Sequence, residues 1–172
     1  MLWLRTFGGL SVEGPEGPQG GAASQRKALA LLALLAPAGP KGTSRDKLGA
    51  YLWPESPADK VSHRLAQLLY ALRRDLGADD LFLGTTELRL NPAIIRSDLQ
   101  EFTHALTAGD SASAARAYGG PFLEGFFLDE APEFERWVDG ERDQLAERFR
   151  AVVESLADEA SRRGDWPAAA SW

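Results

Sequence analysis

Residues Ser56 to Gly77 read SPADKVSHRLAQLLYALRRDLG, and the stretch opens and closes as one complete helix. The Ser56 hydroxyl is placed to serve the amide of Asp59, whose carboxylate can reach back in a capping box. Pro57 takes the first helical position, where a missing N–H costs nothing. Val61, Leu65, Leu68, Leu72 and Leu76 recur at steps of four, three, four and four, so they share one face. Gly77 suits the left-handed residue that ends a helix. The opposite face gathers Asp59, Lys60, His63, Gln67, Tyr70 and Arg74, with Ala66 and Arg73 beside it.

The flanks decide what kind of helix this is. Upstream, LWLRTF (2–7) alternates apolar and polar residues, Gly8-Gly9 offers a turn, and LSV (10–12) can pair back. EGPEGPQGGAAS (13–24) reads as a Gly/Pro-rich surface loop with room for a poor third strand. Gln25 to Ala36 is apolar nearly all round and is predicted as a buried helix ended by PAGPKG (37–42). Thr43 or Ser44 caps a second helix, RDKLGAYLW (45–53), which stops at Pro54. Downstream of Gly77, LFL (81–83) and LRL (88–90) bracket GTTE (84–87) as a short β-hairpin, closed by Asn91-Pro92.

From Ser97 onward the strand signals stop. DLQEFTHALTAG (98–109) and SASAARAYG (111–119) read as an antiparallel helix pair. GPFLEGFFLDEAP (120–132) is an apolar loop that must pack on something. Glu133 to Arg163 is a long amphipathic helix or two abutting ones, with Phe134, Trp137, Leu145, Phe149, Val152, Leu156 and Ala160 on its apolar stripe. AGDSASAARAY (108–118) is echoed by RGDWPAAASW (163–172), where Gly-Asp again enters an alanine-rich helix, the device of helical-repeat arrays. The array is expected to continue past Trp172.

Composition narrows the function. The 172 residues contain no cysteine, which removes disulfides, thiolate metal sites and thiol catalysis together and fits a reducing cytoplasm. ALALLALLAPA (28–38) follows Arg26-Lys27 like a secretion signal, but it lies well inside the chain. It is also far short of the ~20 residues that span a bilayer. The net charge of −6 is divided: residues 1–96 hold 12 Lys and Arg against 9 Asp and Glu, and residues 97–172 hold 7 against 16. The first part is therefore +3 and the second −9, as expected of two units with different partners.

Enzyme signals are weak. His63 and His104 belong to different units, and no close carboxylate cluster supports a metal. GPKGTS (39–44) lacks the order of a phosphate loop, because its lysine precedes the glycine and a helix rather than a strand comes before it. Glu133, Glu135, Glu141 and Asp143 fall at the spacing of a solvated helical face. The reading is that the protein is not an enzyme and needs no cofactor, metal or small-molecule substrate.

A hairpin, three helices and a second hairpin make a winged helix-turn-helix, whose third helix enters the major groove while its hairpin lies along the backbone. Gln67 can read adenine, Arg73 and Arg74 can hold guanine or phosphate, and Tyr70 and His63 can donate to phosphate oxygens. A solvated helix carries similar residues, and arginines near a helix C-terminus are favoured by the dipole alone.

LWPESPADKVSHRLAQLLYALRRDLG (52–77) resembles the signature of SARP-type bacterial transcriptional activators, whose first module is an OmpR-type winged helix. SDLQEFTHALTAGD (97–110) and AARAYGGPFLEGFFLDEAPEFERWVDGERDQLAERF (114–149) are similar to the bacterial transcriptional activator domain that follows in that family, an all-helical TPR-like bundle. The resemblance implies a mainly α fold with small β elements: a winged-helix DNA-binding domain over 1–96, then a TPR-like helical domain over 97–172. It implies a regulator that binds promoter direct repeats as a homodimer and recruits RNA polymerase, in the cytoplasm and away from membranes. The implied DNA contacts are Lys60, His63, Arg64, Gln67, Tyr70, Arg73 and Arg74 on the third helix and Arg89 on the wing. The loop carrying Trp53, Glu55 and Ser56 stands where such proteins meet polymerase.

The chain departs from the family where the wing usually carries Gly-Tyr, here Glu87-Leu88, and in its long Gly/Pro loop. The competing reading is a helical-repeat interaction scaffold whose winged helix docks protein rather than DNA. The modest +3 charge and the unusual wing speak for it.

Overall fold

Alternation in the first residues builds the first sheet. In the computed structural model, which describes residues 1–172, β1 (Leu2–Arg5) pairs antiparallel with β2 (Ser11–Gly14), Leu4 opposite Val12, and both side chains are buried. The Gly/Pro loop supplies a two-residue β3 (Gly17–Pro18) on the outer edge of β2. A single 3-10 turn (Gly21–Ser24) then leads into α1 (Arg26–Ala38), in which every residue from Ala28 to Ala36 is buried. This helix runs two residues further than expected. Pro37 lies within its last turn, where it removes one ladder bond without stopping the chain.

The second helix, α2 (Arg45–Leu52), is capped by the Ser44 hydroxyl, which accepts from the Lys47 amide. The third, α3 (Ala58–Asp75), buries Leu65, Leu69 and Leu72, with Val61, Leu68 and Leu76 packed at the margin. Each fully buried leucine contributes about 1.5–3 kcal/mol. The helix ends as expected. Gly77 has φ +61°, its amide donates to Arg74, and the Ala78 amide reaches back to Arg73 in a Schellman motif.

The start of α3 corrects the sequence reading. Pro57 is the extended N-cap residue, so Ser56 stands one position too early to form the capping box. The Ser56 amide instead donates to the Trp53 carbonyl, and its hydroxyl accepts from Arg64 at 3.1 Å.

After α3 come β5 (Phe82–Leu83) and β6 (Glu87–Leu90), the expected hairpin. Two strands were not expected. Thr43–Ser44 forms β4 and pairs with β6, completing a three-stranded wing sheet in the order β4-β6-β5. Ile95–Ser97 forms β7, which runs parallel to β1 and completes the first sheet as β3-β2-β1-β7. The first sheet therefore extends to Ser97, through residues whose sequence carries no strand pattern.

The helical half follows at once. α4 (Asp98–Ala108) opens with a true capping box between Ser97 and Gln100, and α5 (Ser111–Ala117) packs back on it. α6 (Pro132–Arg162) is one unbroken helix of 31 residues, and α7 (Trp166–Ser171) folds against its end. The internal echo has a physical counterpart. Asp110 caps α5 through the Ser113 amide, and Asp165 caps α7 through the Ala168 amide.

The two halves share one apolar core, a contiguous cluster of 40 buried residues drawn from both. Phe7, two residues past β1, meets Phe102, Tyr118 and Phe122 at ring separations of 5.5, 4.7 and 6.5 Å, and Tyr51 on α2 faces Trp137 on α6. The apolar loop after α5 finds its partner here: Phe122, Leu123, Phe126 and Leu128 are buried, and the Leu123 amide donates to the Thr6 carbonyl. Burial pushes the Asp98 carboxyl up, against the pull of hydrogen bonds from Thr6, Phe7 and Leu99.

Candidate nucleic-acid interface

Helical periodicity buries one side of α3 against α2 and the 3-10 turn, and leaves the other side to solvent. Lys60, His63, Arg64, Gln67, Tyr70 and Arg74 all lie exposed on that outer side, Tyr70 at 63% of its surface. Asp59, Lys60, His63, Arg64 and Gln67 line one shallow concavity over the first turns, and Tyr70 and Arg74 continue the face toward the C-terminus. No part of the helical half covers it.

Three of the expected contacts are already engaged. The Arg64 guanidinium donates to Ser56, outside the helix start. Arg74 donates to the Asp75 carboxylate at 2.8 Å and lies 5.8 Å over the Tyr70 ring. This contact raises the Arg74 pKa and holds the Asp75 carboxyl below the usual carboxylate range, with help from the Ala22 amide that donates to Asp75. Arg73 is half-buried, its guanidinium 5.6 Å over the Phe82 ring of β5, so it faces the wing rather than the open side of α3.

On the wing, Arg89 alternates with the buried Leu88 and Leu90 and so projects from the opposite face of β6. The loop before α3 divides. Glu55 is exposed and Ser56 half-buried, whereas Trp53 turns inward, 8% exposed, beneath the Lys27 ammonium at 5.2 Å. Lys27 also donates to the Leu52 carbonyl; burial, then the nearby Arg64 charge, lowers its pKa against the pull of Glu130.

Sequence reasoning missed Asp75, Lys27 and Arg45. Asp75 was simply the last residue of a helix, and Lys27 sat at the head of an apolar run. Arg45, the first residue of α2, gives no sign of its partner: its Nε donates to the Thr85 carbonyl of the wing at 2.6 Å. Elsewhere, no three His, Asp or Glu side chains gather closely enough to hold a metal ion. No helix is long and apolar enough to cross a membrane.

No protein-family model matches the chain, and no curated protein matches it. Among solved structures it is similar to Mycobacterium tuberculosis EmbR in complex with a low-affinity phosphopeptide, with a TM-score of 0.70 and 22% identity. The similarity covers 95% of this chain and 46% of that one, so this chain spans about half the length of its structural neighbour. At that identity the likeness bears on fold alone, and the fold it supports is a winged helix-turn-helix followed by an all-α helical unit.

Proposed function

We propose that the protein is a sequence-specific DNA-binding transcriptional regulator that reads the major groove with α3. The observation that carries this reading is the open outer face of α3. Its amide, imidazole, phenol and cationic groups stand free of the shared core, on the helix that this architecture presents to DNA. Gln67 is the base-reading side chain, Lys60, His63, Arg64, Tyr70 and Arg74 bind phosphate, and Arg89 contacts the backbone from the wing. Arg73 acts through the wing as well as at the helix end.

Residues 1–96 form the DNA-binding domain and residues 97–172 a TPR-like activator domain in the manner of SARP-type regulators, acting in the cytoplasm. The protein binds promoter repeats as a dimer and recruits RNA polymerase. The acidic helical half repels DNA and is suited to protein contact. In the polymerase-facing loop, Glu55 and Ser56 are the surface groups, and Trp53 supports them from the core.

Selection from a randomised duplex pool with the purified full chain tests this. A recovered motif, with affinity falling steeply as salt rises, is the expected result. A pool that stays random, with no salt-dependent binding, would favour a protein-docking module instead.

A further inference from the structure

The wing is too small to hold its own shape. β5 has two residues and β6 four, and isolated hairpins of that size are marginal in water. Yet the turn is gripped from the start of α2. β4 pairs residue by residue with β6, Thr43 with Leu88 and Ser44 with Glu87. The Arg45 amide then donates to the Thr86 carbonyl at 3.1 Å, and its Nε donates to the Thr85 carbonyl at 2.6 Å.

A cation in the first turn of a helix opposes the helix dipole, so the position is unfavourable for arginine on local grounds. A charged donor seated on the carbonyl of the wing turn offsets that cost. From the other side, Arg73 lies over Phe82 on β5. The turn is thus held by one arginine from α2, and the strand before it by one from α3.

We propose that Arg45 is a positioning residue for the wing, fixing the β5–β6 turn so that Arg89 meets the DNA backbone in register with α3. The role in DNA contact rests on the DNA-binding reading above, whereas the brace itself does not.

The test uses the full chain and Arg45→Met, which keeps the apolar stem and removes the donor. In free protein, amides of Thr86 to Leu90 should exchange about tenfold faster in the variant, while those of Leu69 and Leu72 in α3 hold their rate. Unchanged wing exchange overturns the brace, and so does an equal loss of protection in α3.

On a mixed-sequence DNA duplex at low salt, Arg45→Met should weaken binding about fivefold, and much less once Arg89 is already Ala, because neighbours acting through one element are not additive. Additive losses would make Arg45 a direct phosphate contact. No loss at all would remove its positioning role. If the parent chain fails to bind any duplex, the DNA reading falls, while the exchange result still judges the brace.

Discussion

The Asp98 carboxylate accepts the backbone amides of both Thr6 and Phe7, at 2.9–3.0 Å, and so joins the start of α4 to the end of β1. It also takes the Thr6 hydroxyl at 2.6 Å and its own helix's Leu99 amide at 2.8 Å. Asp98→Ala leaves these buried donors without a partner. The variant should lose about 3–5 kcal/mol of stability, read from urea unfolding of the full chain. A loss below ~1 kcal/mol would show that water replaces the carboxylate at little cost.

Acid should loosen the C-terminal end of α3. Arg74, and after it the Ala22 amide, hold the Asp75 carboxyl below the usual carboxylate range. A depressed pKa means a contribution present above the ordinary carboxylate value of about 3.9 and lost as pH falls through the lowered one. Asp75→Asn should therefore flatten the fall in thermal midpoint below about pH 4. Identical profiles for the two proteins would sink the assignment.

The same substitution frees Arg74. Asp75→Asn should tighten binding to mixed-sequence duplex, and Arg74→Ala should weaken it, lowering the salt slope by about one. Fluorescence anisotropy across a salt series reads both. A slope untouched by Arg74→Ala would move the phosphate contact to another side chain.

Gln67→Ala is expected to act differently. It should relax preference at one base pair of the selected motif by ~1–3 kcal/mol and leave the salt slope alone. Binding to duplexes changed one position at a time separates this from a general loss of affinity.

Gly84, with φ +90° in the wing turn, admits no side chain, because a methyl group there would collide with the Glu87 carbonyl. Gly84→Ala should destabilise the wing by about 1–3 kcal/mol, visible as faster exchange of β6 amides. Unchanged exchange would mean that the turn has another conformation open to it.

What the sequence made legible was local. The periodicity of α3, the Schellman end at Gly77, the wing hairpin and the aspartates that cap α5 and α7 all depend on residues a few positions apart. What it hid was distant. Ile95–Ser97 carries too few residues to show an alternation, and its partner β1 lies at the other end of the first half. Thr43-Ser44 looks like a pair of competing caps until β6 comes alongside. Asp98 looks like an ordinary first-turn acid. Trp53 and Arg73 read as surface groups because nothing in their neighbourhood announces Lys27 or Phe82.

The parallel strand β7 gives the seam between the halves a meaning for anyone who would divide the protein. β7 forms the edge of the first half's own sheet, and the residue directly after it, Asp98, fastens that sheet. The rings that close the far side of Phe7 arrive later still, from Phe102 and Phe122. A polypeptide severed after Arg96 keeps α3 but loses Ser97 of β7 and the lid of its sheet. Grafting this winged-helix half onto another body would mean transplanting the seam with it.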